Sequence, residues 1–552
     1  MATTTFINAK VFTGCSETDF ASAFSITDGV FGWVGETVEL DPGQLDVAVD
    51  LKGATVTPGF IDAHTHPVLT ATLAGATMVL PPAVGSIEEL VKTLAQQPDV
   101  RVEGEWILGY GYDEVGYPEG RKPDRHDLDR VSSTQPVLVR RCDGHSAVCN
   151  TKALELAGVT ATTPNPEGGR FMREADGTPN GVLTDFPAVN AIARFLPEKS
   201  QDDMAETIAE LDLHYLSEGI VGICDLLATL TTDPITTVRL AERKGFRPQC
   251  ALFYGWREAL SEFPHGPPED ANHGRVHIAG LKLFADGTFS DNTAWCKQPY
   301  PNQDDTVTAL LTTTDILRAV EWARGCSMQL AFHAMGDQAI QQLIDVLGPL
   351  QPWTDDVPSV RIDHATLISA DMLTQIVEAP MSFAVISHTI FYFAEYESYR
   401  RNLAPELSNE AYPIARYFHS QLPTALASDA PATAWSRADH VFTSIKAAVV
   451  RRSHTGGDMG SGQSITLPQA LLLYTGRAAQ VSRLTGLGRI HEGYEGSFVI
   501  LEPDPFTLAS DDLDTVEVAH TWLRGQQVHT RPRTDGQFDP DPRPVIPRLV
   551  HT

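Results

Sequence analysis

The 552-residue sequence contains no Cys-x-x-Cys pair and no uninterrupted apolar run long enough to cross a membrane. Its seven cysteines are odd in number and scattered, which excludes a disulfide framework and fits a reducing compartment. The first residues also lack the basic segment followed by an apolar segment that a secretory signal requires. These absences make a soluble cytoplasmic protein the default expectation.

Basic residues are scarce relative to acidic ones, with 41 Lys and Arg against 71 Asp and Glu and a formal net charge of -30. A surface this negative repels phosphate backbones and anionic membranes, so neither a nucleic acid nor a membrane is expected as a partner. Hydrophobic residues make up 42% of the chain, which excludes a mainly disordered protein. We expect a small molecule as the substrate, and we leave a homodimer open.

Short segments rich in β-forming residues occur at both ends of the chain. They are residues 5–13, 23–27 and 30–36 near one end and 496–501, 516–523 and 526–529 near the other. Because neither set can bury a core alone, residues 1–56 and 486–530 are predicted to combine into one small β-sandwich domain. Residues 531–552 are predicted to be a Pro-rich tail.

Eight apolar strand-like segments follow one another within residues 57–485, and helical patterns separate many of them. The segments are 59–64, 219–225, 249–254, 280–286, 328–333, 360–364, 381–386 and 424–429. This alternation predicts an α/β fold, a (β/α)8 TIM-like barrel.

The gap between the first two segments is too long for one crossover, so an inserted subdomain is predicted at about 68–215. The insertion leaves the chain after His66, at the carboxyl end of the first strand, where barrel active sites form. We therefore expect it to act as a lid that sets substrate choice.

The first barrel segment runs into the sequence His64-Thr-His66. Residues i and i+2 of a strand point the same way, so both imidazoles project into the same space. Two such imidazoles suit a divalent metal such as Zn²⁺. A chance His-x-His in a chain with 18 histidines is the alternative at this point.

Other predicted strands also end in ionisable residues. His333 and His364 end the fifth and sixth strands, and Asp429 ends the eighth. Desolvating these groups together at one barrel mouth would be costly without a cation.

Lys282 lies in the otherwise apolar fourth strand, where an ammonium is unfavourable. Reaction with CO₂ would make it a carbamate ligand, and an ion pair with Asp286 or a neighbouring carboxylate is the alternative.

Several segments resemble the metal-dependent amidohydrolase superfamily, in particular its YtcJ-like branch, which includes N-substituted formamide deformylases. The matching segments are Thr57-Pro-Gly-Phe-Ile-Asp-Ala-His-Thr-His66, Asp143-Gly-His-Ser-Ala-Val-Cys-Asn150, Lys282-Leu-Phe-Ala-Asp-Gly287, His333-Ala-Met-Gly-Asp337, Arg361-Ile-Asp-His364 and Ser428-Asp-Ala-Pro431. The resemblance spans almost the whole chain, including the split β-domain.

The resemblance implies one or two divalent metal ions, expected to be Zn²⁺. The implied ligands are His64 and His66 for the more buried ion, His333 and His364 for the second, a carboxylated Lys282 between them, and Asp429. A bridging hydroxide would be the nucleophile, and Asp429 would act as general base and then as general acid.

The predicted catalytic residues are Asp429, His364 and His145. His145 lies in the insertion and would polarise the substrate carbonyl. The predicted substrate-binding residues are His145, Asp286, His388 and Trp295. The chain departs from the branch after Asp286, where a loop with aromatic residues replaces one that contains Arg, so an anionic substrate is not assumed.

Together these features predict a hydrolase that cleaves a non-peptide C–N bond in an amide or an N-substituted formamide. Ring deamination and the hydrolysis of a carbamate or ester are alternatives for the same centre. A non-catalytic scaffold is a third reading, but such relatives typically lose metal ligands, which this chain retains.

Overall fold

The architecture comes from a computed structural model that describes residues 3–45, 48–96, 105–197, 199–301 and 307–532. The strands are β1 (Thr3–Ile7), β2 (Lys10–Phe12), β3 (Phe20–Ala21), β4 (Ala23–Thr27), β5 (Val30–Gly35), β6 (Val49–Asp50), β7 (Thr55–Pro58), β8 (Phe60–Thr65), β9 (Thr77–Met78), β10 (Ile107–Tyr112), β11 (Val137–Arg141), β12 (Ala147–Cys149), β13 (Arg170–Arg173), β14 (Pro179–Thr184), β15 (Ile220–Asp225), β16 (Gln249–Gly255), β17 (Val276–Phe284), β18 (Gln329–Ala334), β19 (Val360–His364), β20 (Phe383–Ser387), β21 (Thr424–Leu426), β22 (Phe498–Glu502), β23 (Glu517–Leu523) and β24 (Gln526–Thr530).

The helices are α1 (Pro42–Leu45), α2 (Pro67–Thr72), α3 (Ile87–Ala95), α4 (Arg125–Asp129), α5 (Thr151–Ala157), α6 (Phe186–Ala193), α7 (Gln201–Ser217), α8 (Pro234–Lys244), α9 (Trp256–Glu262), α10 (Thr313–Gly325), α11 (Asp337–Leu347), α12 (Ala370–Glu378), α13 (Thr389–Ala394), α14 (Tyr396–Asn402), α15 (Pro405–Asn409), α16 (Ile414–His419), α17 (Val441–Val450), α18 (Leu467–Leu473) and α19 (Gly476–Val481). Among the described residues, none of these helices combines the length and apolar character that crossing a bilayer requires.

The described residues divide into two compact units. Within the described residues, the first unit draws on 3–69, 204–430 and 439–532, and the second on 70–203 and 431–438. The chain therefore enters the second unit shortly after the His-x-His sequence and enters it again directly after Asp429-Ala430.

The first unit contains an eight-stranded parallel sheet in the order β8, β15, β16, β17, β18, β19, β20, β21. Two hydrogen bonds bring the end of the last strand back to the first, since the Asp429 N–H donates to the His64 carbonyl (2.8 Å) and the His66 N–H to the Ala430 carbonyl (2.9 Å). The predicted (β/α)8 barrel is confirmed, and all eight predicted strands are present. Their apolar side chains, such as Ile61 and Ile386, lie in one fully buried cluster.

The first unit contains two further sheets, of which the second combines strands from both ends of the described sequence. One has the order β5, β4, β1, β6, and the other has the order β24, β23, β22, β7, β2, β3. In the second of these, Val56 pairs with Ile500 in antiparallel register. Their shared core holds Phe6, whose ring stacks on Phe24 at 4.9 Å and meets Phe498 edge-on at 5.3 Å.

A single residue, Gly59, separates β7 of this β-domain from β8 of the barrel. A Cβ at Gly59 would lie 2.5 Å from a γ-carbon of Val221 on the neighbouring barrel strand, so a larger residue does not fit there. The chain therefore passes from the small domain into the first barrel strand without a linker, and the β-domain and the His-x-His sequence are joined rigidly.

The second unit is built on a six-stranded sheet in the order β13, β14, β12, β11, β10, β9. Apolar clusters that include Leu90 and Val139, and Leu138 and Leu183, bury this sheet. The sequence predicted an inserted subdomain in this region but not its sheet, in which glycine interrupts β10 at two positions. Helix α7, which the sequence placed in the insertion, contributes Leu216 to the barrel core.

The predicted Pro-rich tail, 531–552, lies outside the described residues from position 533 onward.

Phe6 gives a direct test of the shared β-domain core. Phe6→Ala removes a fully buried ring and its aromatic contacts and should lower the free energy of unfolding by about 3–5 kcal/mol. Urea denaturation followed by tryptophan fluorescence measures this change. Phe20→Ala, at an exposed ring of the same domain, is the control and should have a much smaller effect. Equal losses in both variants would contradict this assignment of the core.

Candidate active site

The first barrel strand presents two histidines on one side of its carboxyl end. His64 is 1% exposed and His66 is 7% exposed, and their ring centroids lie 5.2 Å apart. Deeper on the same strand, the Asp62 carboxylate accepts the N–H of His64 (3.3 Å) and the N–H of Ser428 (3.2 Å). Asp62 thus ties the end of the first strand to the segment that follows the eighth.

Asp429 is the carboxylate at the centre of the site. Its Oδ1 lies 2.7 Å from His66 Nε2 and 3.2 Å from His64 Nε2, and its Oδ2 lies 3.9 Å from His364 Nδ1. Burial opposes its ionisation, but the neighbouring His64 and His66 outweigh burial and lower the pKa of Asp429.

The backbone of Asp429 is left-handed (φ 55°), as is that of His364 (φ 68°). Such strained positions are concentrated at functional sites.

Three further imidazoles complete a buried cluster around Asp429 and His64. His364 is the last residue of β19 and lies 4.4 Å from His333, 4.3 Å from His388 and 5.1 Å from His64, measured between ring centroids. Burial lowers the pKa of His64 and His364 far below the usual range and that of His388 to about 4. The structure therefore favours neutral imidazoles, the form in which histidine binds metals.

Lys282 lies in the barrel interior and is 1% exposed. Its Nζ is 3.6 Å from Asp363 Oδ2, and burial lowers the pKa of its amine despite that carboxylate. The carboxylate next to Lys282 is therefore Asp363 and not Asp286. Asp286 instead accepts three backbone N–H groups, those of Trp295 (2.9 Å), Met335 (3.0 Å) and Gly336 (2.8 Å).

Sequence reasoning gave no role to the pair Arg361 and Asp363, which the structure places directly beneath the site. Asp363 Oδ2 lies 2.9 Å from His64 Nδ1, although the two groups are not aligned as a hydrogen bond. The Arg361 guanidinium donates to Asp363 Oδ1 (2.7 Å) and to the Ala63 carbonyl (2.7 Å). A signal for this pair was present in the sequence, because opposite charges at i and i+2 of a strand share one face.

The donor set fits a divalent cation. His64, His388 and Asp429 each offer a ligand atom within 4.8 Å of the others. Both ring nitrogens of the buried His388 and Nδ1 of His364 have no hydrogen-bond partner among the described residues, which is costly unless a ligand satisfies them. Neutral imidazoles around an ionised carboxylate are the chemistry of Zn²⁺ sites. His388, predicted to bind substrate, lies among the candidate ligands.

The other predicted substrate-binding residues occupy different surroundings. His145 belongs to the second unit, where its ring lies 4.6 Å from the Phe186 ring. Its backbone N–H donates to the Asp143 carboxylate (3.0 Å). Asp143 is held by the buried Arg141 at 2.7 Å. Asp286 is fully buried and orders the backbone beside His333, whereas Trp295 is half-buried.

The sequence profile of the amidohydrolase family matches residues 47–529. The chain belongs to this family. Among amidohydrolase relatives, YtcJ of Bacillus subtilis is 26% identical over 94% of this chain and 98% of its own length. The N-substituted formamide deformylase of Arthrobacter pascens is 25% identical over 94% of this chain and 97% of its own length.

A solved structure has the same fold. An uncharacterized metal-dependent hydrolase from Pyrococcus horikoshii superposes with a TM-score of 0.72 at 23% identity, over 92% of this chain and 99% of that one.

His64, in β8, and His66, just after it, provide the test of metal binding. His64→Ala/His66→Ala removes two donors beside Asp429 and should abolish most of the divalent metal that copurifies with the protein, because each lost ligand weakens the site. Elemental analysis of protein purified without chelator measures the content, expected at one to two ions per wild-type chain. His273→Ala, at an exposed histidine of the same unit, should leave it unchanged. Wild-type metal content in the double variant would disprove this site.

Proposed function

We propose that this amidohydrolase is metal-dependent and hydrolyses a non-peptide C–N bond in an amide or N-substituted formamide. The observation that carries the proposal is the contact of Asp429 with both His66 Nε2 (2.7 Å) and His64 Nε2 (3.2 Å), inside a cluster of buried imidazoles. The similarity to a protein named N-substituted formamide deformylase supports the choice of bond.

A bound divalent ion, which we propose to be Zn²⁺, supplies Lewis acidity and lowers the pKa of water in the site. The residues proposed to hold one or two such ions are His64, His66, His333, His364, His388 and Asp429. Asp429 accepts the proton of the attacking water as the new C–O bond forms. It then returns that proton to the nitrogen as the C–N bond breaks, so that an amine and an acid are released.

Lys282 is proposed to be carboxylated. Burial lowers the pKa of its amine, and the neutral amine can attack CO₂: an N–C bond forms, one C–O π bond opens and an amine proton passes to water. The resulting carbamate is an anionic oxygen ligand. Asp363 lies 3.6 Å from Nζ of the free amine and 2.9 Å from His64 Nδ1, and the Arg361 guanidinium donates to its Oδ1.

The experiment that tests the function is a substrate screen of Zn²⁺-loaded protein. N-substituted formamides, N-acyl amino acids and lactams are compared with ring-deaminase substrates, carbamates and esters, with release of amine, ammonia or acid as the readout. Preferential release of amine from the first group supports the proposal. Turnover confined to the second group would reassign the reaction, and no turnover by metal-replete protein would favour a non-catalytic role. The non-catalytic outcome is included because one relative, AepA of Pectobacterium carotovorum, is named as a regulatory protein and is 28% identical over 62% of this chain.

Asp429 should be essential for turnover and less important for metal binding. Asp429→Asn keeps the size of the side chain but removes the base, so kcat should fall by ~10² or more while much of the metal is retained. Steady-state kinetics and elemental analysis of the same preparation separate the two effects. Near-normal kcat would show that another group carries the proton.

His145 remains a predicted substrate-binding residue. His145→Ala should reduce kcat/KM and leave the metal content unchanged, because the side chain is predicted to meet the substrate carbonyl and not the ion. His126→Ala, at another histidine of the second unit, is the matched control. An unchanged kcat/KM in His145→Ala would remove this residue from the mechanism.

A further inference from the structure

Apart from the candidate active site, the first unit contains a cavity of about 510 Å³. It lies at the end of β21 that is opposite to Asp429. Its walls are the loop Gly14–Glu17, the segment from Phe418 to Pro423 that leads into β21, the start of α19, and Arg489. Since Pro423 precedes β21 and Asp429 follows it, the whole length of that strand separates this cavity from the candidate metal ligands.

Arg477 contributes the first positive charge of this cavity. Its guanidinium carbon lies 3.7 Å from the centroid of the Phe418 ring, and Nη1 donates a long hydrogen bond to the Phe418 carbonyl (3.4 Å). Burial lowers the pKa of Arg477, and Glu17 offsets this only in part. Within the part of the chain that the structure describes, no carboxylate lies within ion-pair distance of this guanidinium.

Arg489 contributes the second positive charge. Its Nη1 is 3.5 Å from the Tyr494 hydroxyl, and its Nε would lie 3.3 Å from a Cβ at Gly476, beside the first turn of α19. Among the described residues it too has no ion-pair partner. Glu17 is the single carboxylate among the residues that line the cavity, so two guanidiniums face one acid.

The cavity walls are rigid where the chain segments meet. A Cβ at Gly14 would lie 2.6 Å from the Gly488 carbonyl, and a Cβ at Gly476 would lie 2.3 Å from the Gly14 carbonyl. These backbones therefore touch, and the cavity is formed by packing that the fold already requires. Leu422 and Leu472, both buried, give it an apolar wall.

Two arginines without carboxylate partners are unexpected in a chain with a net charge of -30, since acidic side chains are abundant enough to pair them. Guanidinium groups bind phosphate and carboxylate oxygens through charge-assisted hydrogen bonds. We propose that this cavity is a binding site for a small organic anion. The oxyanion head binds Arg477 and Arg489, and the apolar body lies against Phe418, Leu422 and Leu472.

The experiment uses phenyl phosphate as the probe and isothermal titration calorimetry at constant ionic strength. Inorganic phosphate tests the head alone, benzoate tests a carboxylate head, and phenol tests the neutral body. The variants are Arg477→Gln and Arg489→Gln, with Arg243→Gln as a matched loss of charge at an exposed arginine of the same unit. The His64→Ala/His66→Ala variant separates this cavity from anion binding at the metal ligands.

We expect saturable binding of an aryl anion that weakens roughly tenfold or more in each cavity variant and persists in Arg243→Gln and in His64→Ala/His66→Ala. Phenol should not compete. Affinity that is unchanged in both cavity variants, or lost only in the histidine variant, would overturn the proposal, as would the absence of saturable binding by either aryl anion. Equal affinity for inorganic phosphate and phenyl phosphate would overturn the organic nature of the ligand. Because Arg489→Gln and Arg477→Gln are tested separately, failure of one to fold does not remove the test.

Discussion

The contact between the end of the eighth barrel strand and the first strand is the constraint on which this molecule depends. The Asp429 N–H donates to the His64 carbonyl, and the Asp429 carboxylate meets the rings of His64 and His66. The same few atoms thus close the barrel and assemble the candidate site. A buried carboxylate surrounded by neutral imidazoles is stable only if its charge is compensated, which couples the fold to the group that the site would hold.

The barrel and most of the candidate ligands could be predicted from the sequence for one physical reason. Parallel strands converge at their carboxyl ends, so residues such as His64, His333 and Asp429 come together wherever the strand pattern is recognised. The identity of every barrel strand followed from apolar runs between helical patterns. The exact end of β21 did not, because Asp429 lies beyond the last paired residue in a left-handed turn that apolar periodicity does not report.

Other features had weaker signals. The spacing of strands does not reveal that His388 lies within ligand distance of His64 and Asp429, since that depends on side-chain direction after β20. The sheet of the second unit was missed because tertiary packing stabilises its short strands more than local β-propensity does. Asp286 was predicted to bind substrate, whereas in the structure its carboxylate accepts three backbone N–H groups. The fold itself leaves the chemistry open, as relatives named as an enzyme and as a regulatory protein show.

The pairing of β7 with β22 has a consequence for folding during synthesis of the chain. Val56 leaves the ribosome long before its partner Ile500, because the whole barrel lies between them in the sequence. Throughout that interval the aromatic face that carries Phe6 and Phe24 lacks the cover that Phe498 and Trp522 later provide. Exposed apolar strands of this kind are the surfaces on which nascent chains associate and chaperones act. The small β-domain is therefore completed only after the entire barrel between its two halves has been synthesised.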